Sequence, residues 1–279
     1  MRFNFSWIII VLIVLLKGVL GADLYVDPSY DGAESGTPSQ PCKSISKCVH
    51  EFAADDDTIY LQPGIYNGTD NTGICSNLVI RANNCTARRL TLTGNLTAHH
   101  SRDDVIWSFS QSSSNNLRAL IAESNRFIRV ANMTIRDFTV VNNVSVTSTL
   151  DSRVEGGAIE VHNSTMEIYN VLFINNSAAS GGSIALSKSN VTILSSYFER
   201  NHALIVGGAI SSRRSSLRMN DTTFDSNYVT GNAATQSFGE GGGMFFFGEH
   251  ADKLHIDGGE FRNNSAPEAG GGLHIQAND

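Results

Sequence analysis

Residues 191–201 have the sequence VTILSSYFERN, and residues 207–210 have the sequence GGAI. Apolar and polar side chains alternate over residues 191–193, and this period of two indicates a β-strand. The next position of the repeat, Ser196, follows Ile193 after a step of three residues, and this step indicates that the strand bends there. The glycine pair that follows permits positive φ and a close approach between chain segments.

The same unit occurs four times in the C-terminal half of the chain. Each copy has two alternating apolar positions, a bend position, a Phe and an Asn, and the copies are Met166, Ile168, Val171, Phe173, Asn176; Val191, Ile193, Ser196, Phe198, Asn201; Leu217, Met219, Thr222, Phe224, Asn227; and Leu254, Ile256, Gly259, Phe261, Asn264. Glycine motifs lie at 156–159, 181–184, 207–210, 241–244 and 270–273. Successive Phe residues are 25, 26 and 37 positions apart. Repeats of this length without a helical apolar stripe predict a β-solenoid.

The predicted fold is therefore all-β, a single-stranded parallel β-helix with about 25 residues and three short strands per coil. Each strand pairs with its copy in the next coil, about 4.8 Å away. Two structural columns follow from this stacking. Phe173, Phe198, Phe224 and Phe261 are expected to stack inside the helix, and Asn176, Asn201, Asn227 and Asn264 to bond the backbone and one another at a corner.

The N-terminus carries an apolar run of ten residues at 7–16, preceded by Arg2 and followed by Lys17. Ten residues are too few to cross a bilayer core of about 30 Å, so residues 1–21 are predicted to be a signal peptide. The chain is then secreted, extracellular or at the cell surface, and an uncleaved signal anchor is the one route to membrane association. Residues 22–75 are assigned to an N-terminal cap and the first coils, and residues 76–279 to the β-helix.

The unpaired strands at the two ends of the stack need to be covered. Apolar residues at helical spacing over 45–52 predict a short capping helix, followed by a strand over 58–61. At the other end, the chain stops four residues after the apolar Ile275 of the last glycine motif. This favours a truncated product, or an edge that docks on another chain.

Export agrees with the cysteines and with the glycosylation sequons. Among three possible pairings we favour the disulfides Cys42–Cys48 and Cys75–Cys85, and a metal site is the weaker alternative. Ten Asn-x-Ser/Thr sequons after residue 21 favour a eukaryotic glycoprotein. They are Asn67, Asn84, Asn95, Asn132, Asn143, Asn163, Asn175, Asn190, Asn220 and Asn263. The net charge of −7 argues against a nucleic-acid partner.

Two resemblances follow from these segments. The opening segments 26–29, 41–45 and 57–66 resemble the start of pectin-lyase-like β-helix proteins. The Gly-Gly-Ala-Ile and Phe-x-x-Asn signatures resemble the repeats of chlamydial polymorphic membrane proteins, which are surface adhesins, and of right-handed β-helix proteins of protists. Together these resemblances cover most of residues 23–279, and they imply a right-handed helix. They say little of activity, because this fold carries lyases, hydrolases, esterases and adhesins.

Enzymes of this fold that act on polyuronides need carboxylates clustered on the outer face of stacked strands. The positions expected to face outward are Glu160, His162, Leu186, Lys188, Ser212 and Phe246, which form no column of acids. Arg102, Asp103 and Asp104, beside the histidine pair at 99–100, are the weak catalytic candidates. No metal or cofactor is expected.

The preferred hypothesis is a non-catalytic adhesion or recognition module that binds a protein or carbohydrate on a cell surface or matrix. Insertions at 98–104, 111–116 and 228–240 interrupt the repeat, and insertions in solenoids gather on one face. The candidate binding residues are Tyr228, Asn232, Gln236 and Phe238. The alternative is a carbohydrate-active enzyme that acts on an acidic polysaccharide, and a structural wall or coat role is a third possibility.

Overall fold

The computed structural model describes residues 21–72, 74, 87–97, 100–109, 118–140, 156–231, 239–249 and 251–278. Within these residues the chain forms short β-strands joined by tight turns. The strands are β1 Asp23–Val26, β2 Asp57–Leu61, β3 Gly64–Tyr66, β4 Arg89–Gly94, β5 Val105–Ser108, β6 Leu120–Ala122, β7 Phe127–Arg136, β8 Ile159–His162, β9 Thr165–Ile174, β10 Ser177–Ser180, β11 Ile184–Ser187, β12 Asn190–Leu194, β13 Tyr197–Glu199, β14 His202–Val206, β15 Ile210–Arg213, β16 Ser216–Asn220, β17 Thr223–Asp225, β18 Tyr228–Val229, β19 Met244–Glu249, β20 Leu254–Asp257, β21 Glu260–Arg262 and β22 Leu273–Asn278.

The paired strands run parallel and make three sheets. The long sheet contains thirteen strands, and its main path is β1-β2-β4-β7-β9-β12-β16-β20. The six-stranded sheet has the order β22-β19-β15-β11-β8-β6, and the three-stranded sheet has the order β10-β14-β18. Each strand pairs with strands from neighbouring coils, so the chain is an all-β parallel β-helix. The regular coils contain four strands in place of the three expected, because the bend divides the strand of the long sheet into two, as in β12 and β13.

The register of the sheets pairs equivalent positions of the repeat in successive coils. Ile193 of β12 pairs with Ile168 of β9 and with Met219 of β16. Side chains in register point the same way, so each apolar position becomes a column along the axis. These columns form one continuous core within the described residues, running from β1 to the last coils.

Each regular coil also turns through residues with positive φ at equivalent positions. At the bend of the long sheet these residues are Asn170, Ser195, Asp221 and Gly258, with φ of 52°, 47°, 47° and 70°. At the corner before the three-stranded sheet they are Asn175, Arg200, Ser226 and Asn263, with φ of 54°, 52°, 57° and 53°. The left-handed conformation costs a non-glycine residue roughly 1–2 kcal/mol, and stacking of the coils must offset that cost at every turn.

The N-terminal end is covered by a helix and by a strand. The helical segment begins as α1 Ile45–Lys47, capped by the Ser44 side chain, and continues as a π-helix over Cys48–Phe52. Short 3₁₀ turns occupy Thr69–Asn71 and Arg102–Asp104. Strand β1 was not predicted; it pairs with β2 and extends the long sheet by one strand. No helix within the described residues has the length and apolar character needed to cross a membrane.

The structure corrects part of the predicted outer face. Leu186 and Phe246 belong to the core, and Ser212 lies between them in the same register. In β11, β15 and β19 the expected alternation was therefore shifted by one position, which in a strand exchanges the two faces. In β8 it was not shifted, because Glu160 is in register with Ala185 on the face opposite Leu186.

The opposite face of the same strands carries a column of Glu160, Ala185, Ser211 and Phe245, all four of which are buried. Among these residues only Glu160 is acidic, and its carboxylate lies 3.1 Å from Nε of Arg118. The corrected column therefore contains no series of carboxylates.

Candidate functional site

The interior of the coils is occupied by the two predicted structural columns. The rings of Phe173, Phe198, Phe224 and Phe261 stack with successive centroid distances of 4.8, 4.8 and 4.5 Å. Beside them, the Nδ2 of Asn201 donates to Oδ1 of Asn227 at 2.9 Å and to the carbonyl of Phe173 at 3.1 Å. Asn176 and Asn227 make the equivalent bonds in neighbouring coils, the latter to Asn264. Because these columns fill the interior, a functional site of these coils lies on their outside.

The weak catalytic candidates are engaged in local structure. Asp104 accepts from the backbone N–H of Ser101 at 2.7 Å and so caps the 3₁₀ turn. The hydroxyl of Thr134 lies 3.4 Å from Oδ1 of Asp103, and Nη1 of Arg102 donates to Oδ1 of Asn170 at 3.3 Å. These contacts hold the turn against the outside of β7 and β9. His99 lies outside the described residues.

The structure describes one of the two cysteine pairs for which a disulfide is predicted. Cys42 and Cys48 are both buried and both free thiols. A hydrogen bond with Cys42, together with burial, raises the pKa of Cys48 above its ordinary value. The Sγ of Cys48 donates to the backbone carbonyl of Tyr25 at 3.9 Å. Cys75 and Cys85 lie outside the described residues.

The most distinctive outward group lies on the three-stranded sheet, and we call Ser177, His202, Tyr228 and Thr230 the Tyr228 patch. Tyr228 was predicted to lie in an insertion. It lies in strand β18, in register with His202 of β14. The two rings stack with centroids 4.6 Å apart, and Tyr228 is 40% exposed. In the next coil the partner of Tyr228 is the small, exposed Ser265. Among the described residues, the ring therefore has an aromatic neighbour on one face and a small side chain on the other.

Polar groups surround this aromatic pair. His202 Nδ1 lies 3.0 Å from the hydroxyl of Ser177, and His202 Nε2 lies 3.1 Å from the hydroxyl of Thr230. Burial lowers the pKa of His202 below its ordinary value, which favours the neutral imidazole. An exposed aromatic face beside hydroxyl groups offers both stacking and hydrogen bonding to a ligand. The other three candidate binding residues, Asn232, Gln236 and Phe238, lie outside the described residues.

A second outward group was not predicted. On the outside of β13, β17 and β21, Oδ2 of Asp225 accepts from the hydroxyl of Tyr197 at 2.8 Å and from Nε of Arg262 at 3.0 Å. Asn263 and Ser226 donate to its other oxygen. These bonds, led by that from Tyr197, lower the pKa of Asp225 to about 2.

The residues that surround Asp225 come from three coils, so no local sequence pattern predicts the group that they form. It borders an open groove lined by Tyr197, Asp221, Thr223, Gly259, Glu260 and Arg262. A carboxylate held ionised in this way is unsuited to act as a general acid, which needs a raised pKa.

The predicted glycosylation positions fall into three sets. Asn67, Asn163, Asn175, Asn190 and Asn263 are exposed. Asn95, Asn132 and Asn220 are half-buried. Asn84 and Asn143 lie outside the described residues.

Comparison with known proteins assigns no function to these groups. Within the described residues there is no cluster of three or more His, Cys, Asp or Glu side chains that could hold a metal ion. The sequence matches no protein-family model and no curated protein, and the structure matches no solved structure.

Proposed function

We propose that this chain is an exported, non-catalytic recognition module that binds a protein or carbohydrate on a cell surface or matrix. The observation that carries the proposal is the Tyr228 patch, an exposed aromatic ring supported from beneath by His202. Burial of an aromatic face against a partner is a large source of binding energy, and hydroxyl groups beside it add direction.

The position of the patch supports the same proposal. It ends at Thr230, directly before the segment that carries the other candidate binding residues and lengthens the repeat to 37 residues. Segments inserted between coils add contact surface without disturbing the stack. The pectin-lyase-like and polymorphic-membrane-protein resemblances, and a right-handed helix, remain part of this proposal. The first resemblance rests on the opening segments 26–29, 41–45 and 57–66, and the second rests on the Gly-Gly-Ala-Ile and Phe-x-x-Asn signatures.

The alternative, an enzyme acting on an acidic polysaccharide, has less support. Arg102, Asp103 and Asp104 bind neighbouring backbone and side chains, and Asp225 is held as the ionised form. Glycoside hydrolysis requires a proton donor with a raised pKa, and Asp225, whose pKa is lowered to about 2, does not provide one.

A binding assay with a matched control tests the proposal. The full chain is expressed in cultured eukaryotic cells, and the secreted protein is applied to a panel of neutral and acidic oligosaccharides and immobilised matrix proteins. Tyr228→Ala is compared with Tyr169→Ala, because Tyr169 is also 40% exposed but lies on the long sheet. We expect Tyr228→Ala to weaken binding at least about tenfold, which corresponds to about 1.4 kcal/mol, and Tyr169→Ala to leave it unchanged.

Equal binding by the two variants would exclude the Tyr228 patch as the contact surface. Reducing-sugar release from polyuronides, lost in Arg102→Ala, would instead support the enzyme hypothesis. Retention of the chain inside the cells would contradict export.

A further inference from the structure

Asn132 begins an Asn-Met-Thr sequon, but its side chain is already used within the fold. Its Nδ2 donates to the hydroxyl of Thr93 at 3.1 Å, and its Oδ1 accepts from Nδ2 of Asn170 at 3.0 Å. Asn132 is also half-buried and lies in the left-handed region, with φ of 57°. The amide therefore bridges three successive coils through a ladder of side-chain hydrogen bonds from Asn170 to Asn132 to Thr93. An N-linked sugar on Nδ2 would have to fit into that ladder.

The third residue of the same sequon is engaged as well. The hydroxyl of Thr134 donates to the carbonyl of Arg102 at 3.3 Å, and Arg102 in turn donates to Asn170. The sequon thus joins the 3₁₀ turn at Arg102–Asp104 to the outside of β7 and β9. A glycan at Asn132 would displace this turn in addition to the ladder.

Asn163 and Asn190 present the opposite situation. Both are exposed, and within the described residues neither side-chain amide takes part in a hydrogen bond. Asn163 lies at a corner of the coil with φ of 42°, and Asn190 opens β12 in register with Thr165, two residues after Asn163. The two side chains therefore lie on one edge of the helix in successive coils, and both are exposed to solvent.

We infer that the folded protein carries N-linked glycans at Asn163 and Asn190 and none at Asn132. The inference rests on the export that is part of the proposed function. The physical reason is that attachment at an exposed, unbonded amide disturbs no contact, whereas attachment at Asn132 disrupts a ladder across three coils. Chains modified at Asn132 fold poorly and are not secreted.

Mapping of the attachment sites tests the inference. Secreted full-length protein is deglycosylated in heavy-oxygen water, which marks each formerly occupied Asn as a labelled Asp, and its peptides are analysed by mass spectrometry. We expect label at Asn163 and Asn190 and none at Asn132. Label at Asn132 in folded secreted protein, or its absence at both Asn163 and Asn190, would overturn the inference.

A second measurement separates this result from a failure of export. In protein made in bacteria, which lacks glycans, Asn132→Gln is expected to lower the thermal midpoint by at least about 3 °C, and Asn190→Gln to leave it within about 1 °C. Equal midpoints would show that the Asn132 ladder contributes nothing and would overturn the structural argument even if the chain is exported.

Discussion

Two aromatic stacks in the same coils have nearly the same geometry and opposite surroundings. Inside, the rings of Phe173 and Phe198 lie 4.8 Å apart at 3°, and both are fully buried. Outside, the rings of His202 and Tyr228 lie 4.6 Å apart at 26°, and Tyr228 is 40% exposed. The stacking of coils imposes the spacing on both pairs, so spacing alone does not identify a stabilising contact. Exposure to water distinguishes the stack that holds the fold from the stack that we propose contacts a partner.

The largest expected effect comes from removing one ring from each stack. Phe198→Ala should lower the free energy of unfolding by about 3–5 kcal/mol, because it leaves a cavity in a packed column. Tyr228→Ala should lower it by under about 1 kcal/mol, because its ring remains partly in water. Guanidinium unfolding of both variants measures the difference, and equal losses would contradict the assignment of inner and outer stacks.

The asparagine column offers the next comparison between inside and outside. Asn201→Ala removes the acceptor for the backbone N–H of Asn176 and the donor to the carbonyl of Phe173, both of which are buried. We expect a loss of about 2–3 kcal/mol, since each buried group left unbonded costs about 1–3 kcal/mol. The exposed Asn190→Ala serves as the control and should change the unfolding midpoint little. An Asn201→Ala protein as stable as this control would mean that water replaces the column at no cost.

Two turn residues with positive φ, the buried Gly207 and the exposed Lys188, are expected to respond in opposite directions to substitution. A Cβ added at Gly207, with φ of 64°, would lie 2.1 Å from the carbonyl oxygen of Ile210. Gly207→Ala should therefore cost about 1–3 kcal/mol. Lys188 also has positive φ, at 50°, but it is exposed, so Lys188→Gly should stabilise by at most about 1 kcal/mol. Thermal unfolding of the two variants checks the opposite signs, and destabilisation by Lys188→Gly would refute a strained turn at that position.

The fold was predictable because its interior repeats. The Phe and Asn columns need the same residue type in each coil, and the sequence shows them at matched spacing. The turns were not predictable to the same degree. Lys188, Arg200 and Arg214 adopt positive φ although such residues have no preference for it, because the stacked coils on either side determine the backbone path.

The outer sites were less predictable, because they depend on which residues of different coils come together. Tyr228 was found from the broken repeat, but its partner His202 lies 26 residues earlier and was visible only from the register. Tyr197, Asp225 and Arg262 come from three coils and belong to no motif. The alternation in β11, β15 and β19 was shifted by one residue, because Leu186 and Phe246 are inward positions that were assigned to the outside.

The smallest expected effect concerns Asp225, whose contacts lie on the outer surface near solvent. Its pKa is about 2 in the folded chain against an ordinary value of 3.8, because the hydrogen bonds from Tyr197, Asn263 and Ser226 favour the ionised form. A lowered pKa means that the stabilisation is complete above the ordinary value and is lost as the pH falls towards about 2. Asp225→Asn should therefore unfold at a temperature about 1–2 °C below the unmodified protein at neutral pH, because surface ion pairs contribute little.

The pH dependence of that difference is the decisive measurement. The gap in thermal midpoint between Asp225→Asn and the unmodified protein should stay constant above about pH 5 and shrink as the pH falls through the window between 3.8 and about 2. Glu260→Gln is the matched control, because Glu260 also contacts Arg262, at 3.4 Å, but its side chain is 64% exposed. The difference in thermal midpoint for Asp225→Asn could be as small as that for Glu260→Gln at every pH. In that case the bonds from Tyr197, Asn263 and Ser226 do not stabilise the carboxylate, and the group around Asp225 does not hold the coils together.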